Sequence, residues 1–503
     1  MNIQSTSIPY RKFVPVILFA WFLAGLAWIQ FSSPDMPDND GFYHIKLAHL
    51  MRTEGLNPEF NWLPQSILNP REFYDHHFLF HVALIPFTFG DLRLGAKTAA
   101  VLFAALAFIS IWYMFHRQRV PFAWLWALGL LGISEAFLYR MSITRAQSLS
   151  LGLLALGFLW LLERKYKHLA VLAFIYVWMY DAFPLLIALA VLYILAVLLV
   201  ERRFEIHPLA FVGAGLLLGM LINPYFPDNI TFSIRHMLPK LLDATSVRVG
   251  NEWFPYETSQ LLENSLPALA AFASGILALG LSGRKMDVRT AFALLAAILF
   301  GLMLFQARRF VEYFPPFALI FAAFAWTPLL SDPEPARPKG DEPSPLRRVQ
   351  AGVPLTVLTL AVGFSLLRTL PAAHARMETL KPYDLYAGAS SWLKHNTAEG
   401  ERVFQTDWDD FPRLFFYNTH NTYLIGLDPT YMQMYDAELY DLWVPLVRGE
   451  VDRPSQYIAN IFDSRYVHTD LNHESFIERA ADDPYMQVVY QDGDSILYRI
   501  TRP

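Results

Sequence analysis

Long apolar runs separated by short polar breaks set the pattern of this chain from residue 13 onward. The runs fall at 13–31, 94–115, 120–138, 146–162, 168–180, 184–200, 208–222, 266–281, 290–306, 314–330 and 352–370. Apolarity sustained over such lengths suits helices solvated by lipid, and the pattern predicts about eleven transmembrane helices. One further apolar stretch, 78–90, is too short to cross comfortably and carries His81 and Pro86, so it is expected to lie in the interface or to re-enter.

Leaving 78–90 out of the count puts the basic breaks at 116–119, 163–168, 201–207 and 282–289, with Arg347 and Arg348, on the side of Arg11 and Lys12. That is the positive-inside distribution, which places the N-terminus in the cytoplasm of a multi-pass protein of the cell (inner) membrane. The first run then reads as an uncleaved signal anchor. Loops 32–93, 139–147, 180–184, 223–265 and 306–316 face outward, and the Pro-rich, charged linker 331–350 is cytoplasmic.

Beyond the last run the periodicity changes. Alternating or β-branched stretches at 402–407, 422–426, 466–470, 487–491 and 495–500 read as strands, with helical stretches such as 384–396 between them and a hairpin turn at 491–495. The expected organisation is therefore a transmembrane helical domain, 1–373, and a small α/β domain, 374–503, outside the membrane (periplasmic in a bacterium).

Composition narrows the chemistry. Hydrophobic residues make up 54% and charged residues only 17%, too apolar a balance for an ordinary water-soluble enzyme. A net charge of -5, with the cations confined to short breaks, leaves no basic stripe for nucleic acid. There is no cysteine, which excludes thiolate nucleophiles, disulfides and Cys-ligated zinc.

Candidate chemistry gathers in the outward segments. Asp38 and Asp40 precede 42–51, which reads as an amphipathic helix along the outer surface. Capping by Asp40 would account for its position, and capping would also hold a carboxylate rigidly at the membrane rim. Glu252 is an acid in the long loop 223–265. Arg308 and Arg309 stand at the outward end of a late span, against the positive-inside bias, and a guanidinium fork suits a phosphate. Arg140 and Arg145 share that logic, although Glu135 offers Arg140 a structural partner five residues away. His77 and His81 are spaced i,i+4 and, with a carboxylate such as Asp40, could ligate a cation. Trp408 and Asp409 combine a sugar-stacking face with a hydroxyl acceptor.

These segments, taken in order, resemble the GT-C superfamily of membrane glycosyltransferases. "DNDGFYH" (38–44) resembles its D-x-D-type first-loop signature, an acid pair followed by an aromatic pair and a polar residue. The chain is most similar to oligosaccharyltransferase catalytic subunits. Glu252 in "SVRVGNEWFP" stands where they carry an S-V-x-E-type motif, and Trp408 and Asp409 match the second Trp and the Asp of their W-W-D-Y-G motif, with Asp407 in place of the first Trp. The resemblance implies a glycosyltransferase that takes a sugar or oligosaccharide from a polyprenyl phosphate or pyrophosphate and inverts its anomeric carbon. It implies Asp40, Asp38 and Glu252 as catalytic acids, Arg308, Arg309, Arg140 and Arg145 on the donor phosphate, and Trp408, Asp409, Tyr43 and His44 on acceptor or sugar. It also implies a divalent cation, Mg or Mn, although 139–147 offers Arg140, Arg145 and Gln147 where the family carries acids. The partners are then a lipid-linked donor, membrane lipid and an acceptor of unknown class, protein, lipid or glycan. The alternative is a transporter or flippase of lipid-linked sugars, which would have no use for the first-loop acids.

The orientation is directly testable. Alkaline phosphatase fused after Glu450 in a bacterial host is expected to be active, and fusions after Arg117 or Gly340 inactive. The reverse pattern would turn the topology inside out.

Overall fold

Ten of the eleven apolar runs coincide with one helix each in a computed structural model, which describes residues 13–237, 250–331 and 345–501. Arg11 and Lys12, residues 246–249 just before Glu252, and most of the linker 331–350 lie outside the described residues. Five helices are long and apolar enough to cross a membrane: Leu92–Arg117, Pro184–Glu201, Thr258–Ser282, Val288–Gln306 and Gly352–Met377. A sixth is added if Glu135–Ser142 and Gln147–Leu162, which meet at 110°, count as one broken span. Val14–Gln30, Tyr166–Met179, His207–Leu221 and Phe314–Leu330 are shorter apolar helices.

The exception is the run 120–138. It forms a helix only over Ala123–Leu128, tightens into a 3-10 turn at Gly129–Leu131 and stops. Gly132 packs so closely on the backbone at Ser365 and Leu366 that a Cβ there would collide. Ser134 then caps a new helix, its side chain accepting from the Phe137 amide at 3.2 Å. Glu135 therefore begins a helix instead of lying inside a span. Its partner is Arg376 at 3.4 Å, not Arg140 as the sequence spacing suggested.

The chain divides into two units. One comprises Met1–Ser33, Lys97–Gly219 and Asn251–Thr379 and is helical throughout its described residues. Close packing there uses small residues and stacked rings: Gly152 lies against Ala107, and Phe158 stacks on Phe292 at 4.0 Å between centroids. Large apolar side chains on its surface, among them Leu302, Phe305, Phe364 and Leu367, are exposed as lipid-facing positions would be.

The other unit comprises Pro34–Ala96, Met220–Gly250 and Leu380–Pro503. The expected boundary at 373 thus leaves out two segments, because the first loop shares a hydrophobic core with the C-terminal region. Tyr43, Leu47, Phe60 and Leu63 pack with Leu393, Val403, Phe411 and Phe415. The Asp40–Glu54 helix is consequently buried along most of its length and is not the surface helix that its sequence suggested. Apolar residues on two of its sides found protein on both. Phe78–Leu84, extended by a 3-10 turn at Ile85–Thr88, packs on this helix, and Arg52 Nε donates to Thr88 Oγ1 at 2.9 Å.

A five-stranded mixed sheet organises this unit: β1 (Arg402–Gln405), β2 (Thr422–Tyr423), β3 (Tyr466–Asp470), β4 (Met486–Gln491) and β5 (Ser495–Ile500), in the order β2-β1-β3-β5-β4. β1 runs parallel to β2 and β3, while β5 runs antiparallel to β3 and β4. All five strands stand at positions expected from alternation.

The helix Ala437–Val447 ends in a Schellman turn, the Gly449 amide donating to Leu446 O and the Glu450 amide to Pro445 O. Gly449 has φ 68°, and a Cβ on it would run into the Ser475 carbonyl. Gly449→Ala should therefore cost about 2 kcal/mol or more and lower the Tm of the purified protein. Gly493→Ala, where a Cβ meets nothing, should leave it unchanged.

Candidate active site

The acids and arginines singled out in the sequence fall into two clusters, one in each unit. In the sheet-containing unit, the approach to the Asp40–Glu54 helix is unusual. Asp38 has φ 74°, a conformation that non-glycine residues adopt rarely. Its Oδ1 accepts from the Asn39 amide at 2.7 Å. Asn39, not Asp40, is the N-cap, and its side chain makes no capping bond. Instead its amide nitrogen donates to Asp409 Oδ2 at 2.7 Å and to the Asp409 carbonyl at 3.0 Å, while its Oδ1 accepts from Arg413 Nε at 2.7 Å. Arg413 is almost wholly buried, with its guanidinium over the Phe42 ring at 4.4 Å.

This bridge ties the first-loop acids to the Trp408–Asp409 segment, so Asp38, Asp40 and Asp409 share one neighbourhood. Burial, followed by the nearby charges of Asp38, Asp40 and Asp407, raises the Asp409 carboxyl well above its usual range. Asp407 accepts from the Asp409 amide at 2.9 Å and so caps the 3-10 turn Trp408–Asp410.

Tyr43 and His44 are placed otherwise than expected. Both are buried: Tyr43 packs among Phe60, Phe411 and Phe415, leaving little surface for an acceptor or sugar. His44 Nδ1 meets His81 Nε2 at 2.7 Å, and His81 Nδ1 meets Asp75 Oδ2 at 2.7 Å, a buried Asp75–His81–His44 chain. Both ring nitrogens of His81 are thereby used. Among the described residues no three His, Asp or Glu side chains are grouped to hold a metal. Asp40, His77 and His81 do not form such a group among the described residues.

In the helical unit, Arg140 is the hub. Its Nε donates to Glu312 Oε1 at 2.7 Å, its Nη2 pairs with the same carboxylate, and its Nη1 donates to Glu252 Oε2 at 2.9 Å. Arg145 and Arg309 each approach Glu252 at 3.6 Å. Arg309 also lies over the Trp253 ring at 4.3 Å and donates to Tyr180 Oη at 3.2 Å. Arg308 holds the Glu252 segment: its amide donates to Phe254 O at 2.9 Å and its Nε to Pro255 O at 3.1 Å. Burial would raise the Glu252 carboxyl, but Arg140, Arg309 and Arg145 outweigh it and hold the group well below the usual carboxylate range. A carboxylate gripped in this way is a poor proton acceptor.

Among the described residues three guanidinium groups thus converge on Glu252 and Glu312, and guanidinium forks of this kind suit an anion such as phosphate. Glu252 belongs with the arginines and Asp40 with the other unit, so the two proposed catalytic acids do not form one carboxylate pair within a unit. Asn39, Arg413 and Glu312 were missed by sequence reasoning. Glu312 had a signal, an acid three residues after an arginine pair at the end of an apolar run; Asn39 and Arg413 had none short of knowing that they meet.

No protein-family model and no curated protein matches the sequence. Solved structures do match. The archaeal oligosaccharyltransferase AglB from Archaeoglobus fulgidus, in complex with an inhibitory peptide and a dolichol-phosphate, aligns with 12% identity over 98% of this chain and 75% of that one, at a TM-score of 0.62. ArnT from Cupriavidus metallidurans, bound to undecaprenyl phosphate, aligns with 14% identity over 98% of each chain, at 0.60. Arabinofuranosyltransferase AftD from Mycobacteria aligns with 15% identity over all of this chain and 40% of that one, at 0.56. At such identities the likeness is one of fold alone.

Proposed function

We propose that this protein is an integral membrane glycosyltransferase that moves a sugar or oligosaccharide from a polyprenyl phosphate or pyrophosphate to an acceptor at the outer face. The observation that carries the proposal is the convergence of Arg140, Arg145 and Arg309 in a helical unit of GT-C architecture. A lipid-anchored sugar is reached only from within the bilayer, so the reaction needs a membrane-spanning scaffold with cations near the headgroup. Likeness to proteins solved with dolichol-phosphate or undecaprenyl phosphate supports the donor class. In this reading the interrupted segment Ala123–Ser142, Gln147–Leu162 and the four shorter apolar helices join the five long ones as eleven crossings, which keeps the first loop and the C-terminal domain outside.

The acceptor hydroxyl or amide attacks C1 of the donor sugar from the face opposite the phosphate. The acceptor–C1 bond forms, the C1–O bond to phosphate breaks, and configuration inverts. The acceptor proton passes to the Asp40 carboxylate, with Asp38 holding the approach to the helix that carries it. Arg140, Arg145 and Arg309 stabilise the charge that grows on the departing phosphate, while Arg308 braces the Glu252 segment. Glu252, kept ionised, orients the guanidinium groups instead of taking a proton. Trp408 and Asp409, tied to Asn39, lie on the acceptor side.

A transporter of lipid-linked sugars would share the arginines but would not depend on Asp40. Asp40→Asn, assayed in membranes supplied with lipid-linked donor, should lower sugar transfer by about 100-fold or more with an unchanged Tm. Full transfer by a folded variant would end the catalytic assignment. Arg309→Ala should weaken binding of undecaprenyl phosphate in a direct binding assay and leave undecaprenol binding as it was. Equal loss of both ligands would assign Arg309 a packing role.

A further inference from the structure

The sheet has one topological switch point. From β1 the chain moves outward to β2 on one side, whereas from β3 it moves through the Glu474–Ala481 helix to β4 and β5 on the other. β1 and β3 are parallel neighbours, with Gln405 beside His468, so their carboxyl ends open at the same edge and the chain diverges there. In open sheets with parallel strands, such a crevice is where ligands bind.

A cavity of about 730 Å³ lies at that point, within the range that small ligands occupy. Thr406, Asp407 and Trp408, which follow β1, form one wall, and His473, which follows β3, forms another. The Ala437–Val447 helix supplies Tyr440, Asp441 and Trp443, and Arg448 follows it. None of these residues belongs to the arginine cluster, and none touches the Asp75–His81–His44 chain.

The lining selects the ligand chemistry. Trp408 and Tyr440, both half-buried, offer apolar faces of the kind on which pyranose C–H groups stack, and the Tyr440 ring lies 5.9 Å from that of Trp443, which is buried in the core. Asp407 and Asp441 are hydroxyl acceptors. His473 Nδ1 is fixed at 2.5 Å from Asp470 Oδ1, and that hydrogen bond sets the ring's orientation. Arg448 is the one arginine or lysine against two carboxylates, so the cavity disfavours phosphates and other anions. Helix side chains and strand-end loops line it, without a free strand edge for an extended peptide to pair with.

We propose that this switch-point cavity binds a neutral glycan of two or three sugar units. The site holds sugar whether it arrives on the donor or on the acceptor, and its binding does not depend on the assignment of the arginine cluster.

Saturation-transfer NMR and calorimetry on the full-length protein in detergent test the assignment without any catalytic readout. The probes are maltotriose, mannotriose and chitotriose, with a trigalacturonate as the anionic comparison and an Asn-Val-Thr peptide as the peptide comparison. At least one neutral trisaccharide should bind, and the trigalacturonate should not. Tyr440→Ala and Asp441→Asn, on a helix face that is half-buried to exposed, should keep the fold and each weaken binding about tenfold. Weaker sugar binding in the presence of saturating lipid-linked donor would put the glycan on the donor, and unchanged binding would put it on the acceptor. The proposal is overturned if no neutral trisaccharide binds, if both folded variants bind as the parent does, or if the peptide alone binds and is lost in the variants.

Discussion

Arg140 carries two carboxylates at once, and much of the helical unit is arranged around that demand. Glu312 is 1% exposed, so its charge is tolerable only with a cation in contact. Losing one member of such a pair typically costs about 3 to 5 kcal/mol, because the other is left buried and uncompensated. Arg140 can reach Glu312 and Glu252 together because it stands on a short helix set off by the breaks at Gly132 and Ile143, not in mid-span. A continuous helix through 120–138 would have carried the following residues on along a single axis. The interruption in the apolar pattern is therefore part of the site, and Ser134, which caps the new helix, contributes to it indirectly.

A comparable constraint acts in the other unit, with an amide as its centre. Asn39 donates to Asp409 and accepts from Arg413, so one neutral side chain separates a carboxylate from a guanidinium that would otherwise pair directly. The consequence is electrostatic. Asp409 keeps an elevated affinity for protons among three other acids, instead of being held ionised as Glu252 is. Two carboxylic acids are thus tuned in opposite directions by their neighbours. An acid that receives protons readily and an acid that refuses them have different uses, which is why the chemistry above assigns them different roles.

The legible part of this fold was the part written in periodicity. Apolar runs mark ten helices, and alternation marks all five strands, because both signals depend only on near neighbours in sequence. The run 120–138 misled because composition records apolarity and not continuity; only the contact of Gly132 with the backbone near Ser365 explains the stop. The Asp40–Glu54 helix misled for a related reason. Its residues fit a helix with one wet face, but a core shared with residues some 350 positions later covers it. The individual arginines and acids were visible through their placement in the polar breaks between apolar runs. Their pairings were not: Arg140 with Glu312, Asn39 with Asp409 and Asp470 with His473 rest on tertiary contacts or local turns that leave no periodic trace.

The charge distribution that results is segregated by unit. Among the described residues Arg140, Arg145 and Arg309 converge on Glu252 in the helical unit, whereas carboxylates gather around Asp409 and again at the switch-point cavity in the sheet-containing unit. For a transfer reaction between a phosphate-bearing donor and a hydroxyl- or amide-bearing acceptor, this separation serves a physical end. Cations near the leaving group stabilise the charge it acquires, but cations near the acceptor would lower the basicity of the group that must take its proton. Interleaving the two sets would let arginines quench the acids that the acceptor needs, as happens to Glu252. Because Asn39, and not Arg413, contacts the Asp409 carboxylate, that acid keeps its raised affinity for protons.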